Sequence, residues 1–252
     1  MKIPIFAADM TDARRKEILL RYGAATAGLM FVALGVALSI LSNLGTAPLS
    51  CPAYVLNLRW PALSVGTFTT LFNLSYLLLQ AALLRRDFRA EHLLQVVASL
   101  LFGYLIDACL WALAWLHPAG FGARAGLTLL AALATAFGVS IEVAAEAWML
   151  PAEMTVAAFA KVFRKPFGPV KVVMDSLTVV LAAVLSGIFF ANPFGAGAYT
   201  GAADLLLART PGTVIGSGTL LLAVLPGLLM RLTDPLAGWL RDRSGRNDDT
   251  PR

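Results

Sequence analysis

Apolar residues fill this chain in long blocks, and polar residues interrupt them at intervals. Four stretches, Tyr22 to Leu58, Trp60 to Leu84, Ser176 to Ala203 and Thr210 to Met230, contain no Asp, Glu, Lys or Arg. A helix of about 20 apolar residues is long enough to cross the hydrocarbon core of a bilayer. The pattern predicts six helical spans near residues 21–42, 63–84, 93–116, 125–150, 169–190 and 211–232. Prolines mark where they stop. Pro48, Pro52 and Pro61 interrupt the segment after the first span, and His117-Pro118-Ala119-Gly120 ends the third. Pro151 ends or kinks the fourth, Pro166 and Pro169 precede the fifth, and Asn192-Pro193 follows it. Proline lacks an amide donor and clashes with the preceding turn, so each marks a helix end or a break. The expected fold class is all-α, a polytopic membrane protein with six transmembrane helices.

Composition strengthens this reading. The chain is 58% hydrophobic and 14% charged, with a mean hydropathy of +0.75, whereas a soluble domain carries about 25% charged residues. Too few polar residues remain to coat a soluble surface. The formal net charge of +5 does not point to nucleic acid, because the basic residues sit in short loops without interleaved aromatics. Cys51 and Cys109, the only cysteines, form neither a disulfide framework nor a zinc spacing, and read as small apolar residues. Residues 1–20 include Asp12, Arg14, Arg15, Lys16 and Glu17, too polar for a cleavable signal, so the first helix is expected to act as the targeting signal. No Ser-His-Asp arrangement, metal-ligand cluster or phosphate loop is present in the sequence. His92 and His117 fall at opposite membrane faces. An enzyme is not expected, nor a cofactor.

Basic residues set the orientation. With a cytoplasmic N-terminus and six spans, 17 of the 20 Lys and Arg fall on the inner side, leaving Arg59, Arg124 and Arg209 outside. Adding or losing a span would scramble that split. Both termini are therefore expected in the cytoplasm. The expected organisation is an N-terminal segment 1–20, a first three-helix repeat 21–116, an outer loop 117–124, a second three-helix repeat 125–235 and a polar tail 236–252.

The two repeats are read from internal similarity. At a shift of 103 residues, Ala33, Gly35 and Val36 lie on Ala136, Gly138 and Val139; Ser39 lies on Glu142, Asn43 on Glu146, and Pro48 on Pro151. At a shift of 124, Gly103 lies on Gly227 and Asp107 on Arg231. An odd number of spans per repeat forces the second to enter the membrane from the opposite side. Such inverted repeats are typical of secondary transporters, which bind substrate near the midplane where helices are broken. The segments after Pro48 and Pro151 are expected to be broken or re-entrant, with helix starts offering free N–H groups. The plainer alternative is an interfacial amphipathic helix on each face.

Carboxylates within the apolar blocks are the candidate chemistry. Glu142 and Glu146 stand at i and i+4 and share a helix face. Glu153 would continue that stripe. Asp107 lies on the outer half of the third span, and Asp175 lies one turn beyond Lys171 on the fifth. Ser39, Asn43 and Asn73 add uncharged polar groups. A carboxylate at helix centre costs roughly 2.5–3.5 kcal/mol on insertion scales, so it must face protein or water. Asp175 has a plainer reading as the partner of Lys171 or as a helix-start residue. Glu153 and Lys171 could be ordinary interface residues, and Asn73 an interhelical hydrogen-bond group.

Several motifs resemble a known family. They are Ser42-Asn43-Leu44-Gly45-Thr46-Ala47-Pro48, Pro61-Ala62-Leu63-Ser64-Val65-Gly66-Thr67-Phe68, and Leu93-Leu94-Gln95 leading to Phe102-Gly103-Tyr104-Leu105-Ile106-Asp107. In the second half they are Met149-Leu150-Pro151-Ala152-Glu153, Phe167-Gly168-Pro169-Val170-Lys171 and Pro211-Gly212-Thr213-Val214-Ile215. Together they resemble the YczE/YyaS/YitT-like family of bacterial multipass membrane proteins over roughly residues 20–235. Met154 departs from the small residue expected there. The resemblance implies a bacterial plasma-membrane protein and assigns no binding residue.

These readings lead to an expected secondary transporter of a small polar or cationic metabolite, coupled to a proton or cation. Its site would be bounded by Ser39, Asn43, Asn73, Glu142, Glu146 and Asp175. The competing expectation is a non-transporting membrane scaffold or regulator that associates through small-residue faces such as Ala24, Gly28 and Gly35. The partners expected are the bilayer and a small-molecule or ion substrate, with no nucleic acid; a homodimer is compatible with the pattern.

Overall fold

A computed structural model describes residues 12–85, 90–145, 150–196 and 212–225. The described residues are helical apart from turns and one isolated bridge between Gly195 and Thr213. Helix α1 spans Asp12–Ser42, α2 Cys51–Arg59, α3 Val65–Leu84, α4 Leu94–Ala112, α5 Phe121–Ala145, α6 Pro151–Phe163 and α7 Phe167–Phe190. Residues 217–225 form a further helix, α8. Five of these, α1, α3, α4, α5 and α7, are long and apolar enough to cross a membrane.

Local chemistry explains the ends. Helix α1 stops where Asn43 adopts φ 55° and Gly45 φ 120°, left-handed conformations that terminate a helix. Pro48 then opens a short 3-10 turn, Pro48–Ser50, that runs into α2. Ser64 caps α3 by accepting from the Thr67 amide at 3.1 Å. Pro151 begins α6 at a position where its missing N–H is harmless. Arg164 in the left-handed region ends that helix.

Several boundaries differ from expectation. Helix α1 starts at Asp12, well before residue 21, because helix propensity rather than apolarity governs its charged first turns. Helix α4 ends at Ala112 rather than 116. The sixth span, expected from 211, is not helical over 212–216. There Thr213 donates its amide to Asn43 Oδ1 at 3.0 Å, and the Val214 carbonyl accepts from Thr46 N at 2.9 Å. Contacts with the loop after α1 thus take the place of helical hydrogen bonds. The C-terminal part of that span lies outside the described residues, as do 146–149 at the end of the fourth.

Helices α1 and α5 pack antiparallel and very closely. A Cβ on Gly28 would lie 2.8 Å from the Gly138 carbonyl oxygen, and one on Gly35 would lie 2.9 Å from the Ala131 carbonyl oxygen. Small residues at such crossings let backbones approach. Helices α3 and α4 meet similarly at Gly66 and Gly103, where Thr70 Oγ1 donates to the Ser99 carbonyl at 3.1 Å. The short helix α2 rests on α3 and α7, and α6 rests on the same two helices.

The molecule is inverted relative to a soluble protein. Leu78, Tyr104, Trp111, Leu177, Ile188 and Leu220 are exposed, whereas Ser39, Gln80, Thr128, Glu142 and Thr155 are buried. That distribution suits lipid as the surrounding solvent.

Candidate functional site

Glu142 is the most unusual side chain among the described residues. It sits one turn before the end of α5, against α1, and is 1% exposed. Among the described residues, neither carboxylate oxygen has a hydrogen-bond partner. Gly28 makes the room it occupies, because a Cβ there would lie 2.8 Å from Glu142 Cγ.

A chain of charged groups leads outward from it. Glu142 and Glu153 lie close enough to repel one another as anions. Glu153 occupies the first turn of α6, where the positive end of the helix dipole favours a carboxylate. It also feels the Lys171 ammonium and the Asp175 carboxylate on α7. Lys171 Nζ stands 3.4 Å from Asp175 Oδ2, an i,i+4 pair, while Asp175 Oδ1 is buried without a partner. Tyr76 on α3 lies within electrostatic reach of Asp175, and its carbonyl accepts from Thr155 Oγ1 of α6 at 3.1 Å. Helices α3, α6 and α7 thus meet around Glu153 and Asp175, with Glu142 of α5 within electrostatic reach of Glu153. Exposure rises from Glu142 to Asp175 at 15% and Lys171 at 36%, so the group runs from the interior toward the surface.

The other expected site residues lie elsewhere or do other work. Ser39 donates to the Val36 carbonyl at 2.7 Å. It is eleven residues beyond Gly28, about 16 Å along α1 at the helical rise. Asn43 is further along and binds the Thr213 amide. Neither meets Glu142. Asp107 serves the start of α3: Ser64 Oγ donates to its Oδ2 at 2.5 Å and the Gly66 amide to its Oδ1 at 2.8 Å. Glu146 lies outside the described residues.

Asn73 lies on the buried stripe of α3, with its Nδ2 unpartnered. The same stripe holds Thr69 and Gln80, whose Oγ1 and both amide atoms respectively lack partners, and Gln95 Oε1 on α4 is likewise orphaned. None of these three is among the site residues expected from the sequence. Their signal is periodic, since positions 69, 73 and 80 recur at helical spacing within an apolar span.

Among the described residues, no three His, Cys, Asp or Glu side chains come together in a way that could hold a metal ion.

Five apolar helices, an apolar exterior and ionisable groups in the interior define a helical polytopic membrane protein. The chain belongs to a family of unknown function, DUF6198, whose profile matches residues 19–210. No curated protein and no solved structure matches it.

Proposed function

We propose that the protein is a secondary transporter for a small polar or cationic metabolite, coupled to a proton or cation through the acids at the α5–α6 break. One observation carries the reading. Glu142 is buried with both carboxylate oxygens unpartnered, an arrangement that purely structural acids avoid and that gains meaning if a proton or cation comes and goes there. A scaffold or regulatory partner calls for acids paired within the bundle, and Glu142 has no pair among the described residues.

The architecture proposed is six spans in two inverted three-helix repeats, 21–116 and 125–235. The α1–α5 crossing supports it. Under the 103-residue shift, the approach of Gly28 to Gly138 maps onto that of Ala131 to Gly35, and the approach of Val32 to Gly138 onto that of Thr135 to Gly35. That is the reciprocity of a two-fold axis. The short helices agree, since α2 resting on α7 maps onto α6 resting on α3. The basic-residue asymmetry supports a plasma-membrane protein with both termini in the cytoplasm. We read DUF6198 as kin to the YczE/YyaS/YitT-like bacterial proteins.

The test is a metabolite screen by thermal shift across pH on purified protein, followed by uptake of each hit into proteoliposomes. A bound solute raises apparent stability. Glu142→Gln should remain folded and inserted, yet lose the pH dependence of binding and the uptake. Unchanged uptake in that variant would reject the assignment.

A further inference from the structure

We propose that the acidic group around Glu142 takes a hydrogen-bond-donating cation, a protonated amine or a guanidinium; this rests on the transporter reading and names its substrate class. The orphaned atoms are the first reason. Both oxygens of Glu142 and Oδ1 of Asp175 are buried without partners among the described residues. Ionised carboxylate oxygens only accept hydrogen bonds. An unsatisfied buried acceptor is costly, more so when charged. What the group lacks is therefore N–H donors carrying positive charge.

Spacing is the second reason. The acids do not converge as metal ligands among the described residues. A bare ion takes several oxygen ligands at once, and no three acids among the described residues gather there to supply them. A guanidinium spreads its donors over a rigid plane, and an alkylammonium places three on one nitrogen.

The flanking groups show how such a cation would be received. Lys171 already holds the outer acid, with Nζ 3.4 Å from Asp175 Oδ2. An incoming cation displaces one ammonium from Asp175 and then reaches Glu142, exchanging like charge for like. Glu153 on α6 is within electrostatic reach of Lys171 and Asp175, and Tyr76 on α3 is within electrostatic reach of Asp175. On α1 the antiparallel register puts Arg21 and Tyr22 near the end of α5, each with interactions of its own. Gly28 leaves the space that Glu142 fills.

The experiment uses the full chain in detergent with four probes at equal ionic strength: methylguanidinium, ethylammonium, tetramethylammonium and sodium. The first two carry N–H donors. Tetramethylammonium has charge without donors, and sodium is a bare ion. Methylguanidinium and ethylammonium should each raise Tm by about 5 °C at saturation, with little change from the other two. Glu142→Gln and Asp175→Asn should each weaken the methylguanidinium titration roughly tenfold. The ranking on the unmodified protein decides the matter even if a variant does not purify. Equal shifts from tetramethylammonium or sodium, no shift from either donor, or unaltered titrations in both variants would overturn the proposal. Glu142-dependent binding of a neutral or anionic metabolite would overturn the cation class and leave the transporter reading standing. Absence of Glu142-dependent uptake for every solute bound would remove the transporter reading itself.

Discussion

At the end of α1 the chain turns through Asn43 to Ala47, and its polar groups find partners in the 212–219 segment. Asn43 Oδ1 accepts from Thr213 N, Thr46 N donates to the Val214 carbonyl, and the Leu44 carbonyl accepts from Gly218 N at 2.8 Å. The Thr46 hydroxyl donates toward Cys51 Sγ at 3.1 Å. At the end of α5, among the described residues, Glu142 has no partner and Asp175 is half satisfied. Both breaks precede a short helix that starts at a proline. One polar cluster is closed on itself and ties the loop after α1 to the 212–219 segment; the other leaves acceptors open. The same local device therefore serves as a latch at one end of the α1–α5 pair and as a candidate ligand site at the other.

The most severe way to break this comparison is to separate α1 from α5, which both ends share. Gly28→Leu puts side-chain atoms where a Cβ alone would lie 2.8 Å from the Gly138 carbonyl oxygen. Overpacking of this kind costs roughly 1–3 kcal/mol, and more against backbone. The variant should fail to give a monodisperse peak on size exclusion. Gly23→Leu on the same helix meets nothing within 4 Å and should purify normally; equal behaviour of the two would refute the crossing.

A smaller effect sharpens the contrast between latch and site. Asn43→Ala removes the acceptor for the Thr213 amide and leaves alanine at φ 55°. Stability should fall by about 2 kcal/mol, read from the thermal midpoint, with solute binding at Glu142 intact. Glu142→Gln should do the reverse. Should Asn43→Ala instead abolish binding at unchanged stability, the roles of the two ends would have to be exchanged.

Asp107→Asn should have the least effect. The Gly66 amide keeps an oxygen acceptor, while the Ser64 hydroxyl then faces an NH2 group and the negative charge at the start of α3 is lost. A loss of about 1 kcal/mol is expected, with no change in any Glu142-dependent titration. A changed titration would draw Asp107 into the site.

Much of the fold was legible in the sequence. The apolar blocks located α1, α3, α4, α5 and α7 within a few residues, apart from the charged start of α1. The prolines marked the breaks because their effect is local. Glu142 stood out because a carboxylate is costly in an apolar block wherever the block packs. The composition of the site was less legible. Ser39 on α1 and Asn43 just beyond its end lie too far from Gly28 to reach Glu142. Asp107 looked like a membrane acid, and its work as a cap depends on Ser64 and Gly66, some forty residues earlier.

The sequence by itself determined which segments are helices, where they break and which residues are too costly to leave in lipid. Those properties follow from hydropathy and backbone chemistry, which act over a few turns. The tertiary structure decided which acids meet, which are paired and which stay open. Partners contributed by α1, α3, α6 and α7 are brought together only by glycine-mediated crossings and short helices laid across their neighbours, and no local signal fixes those distances.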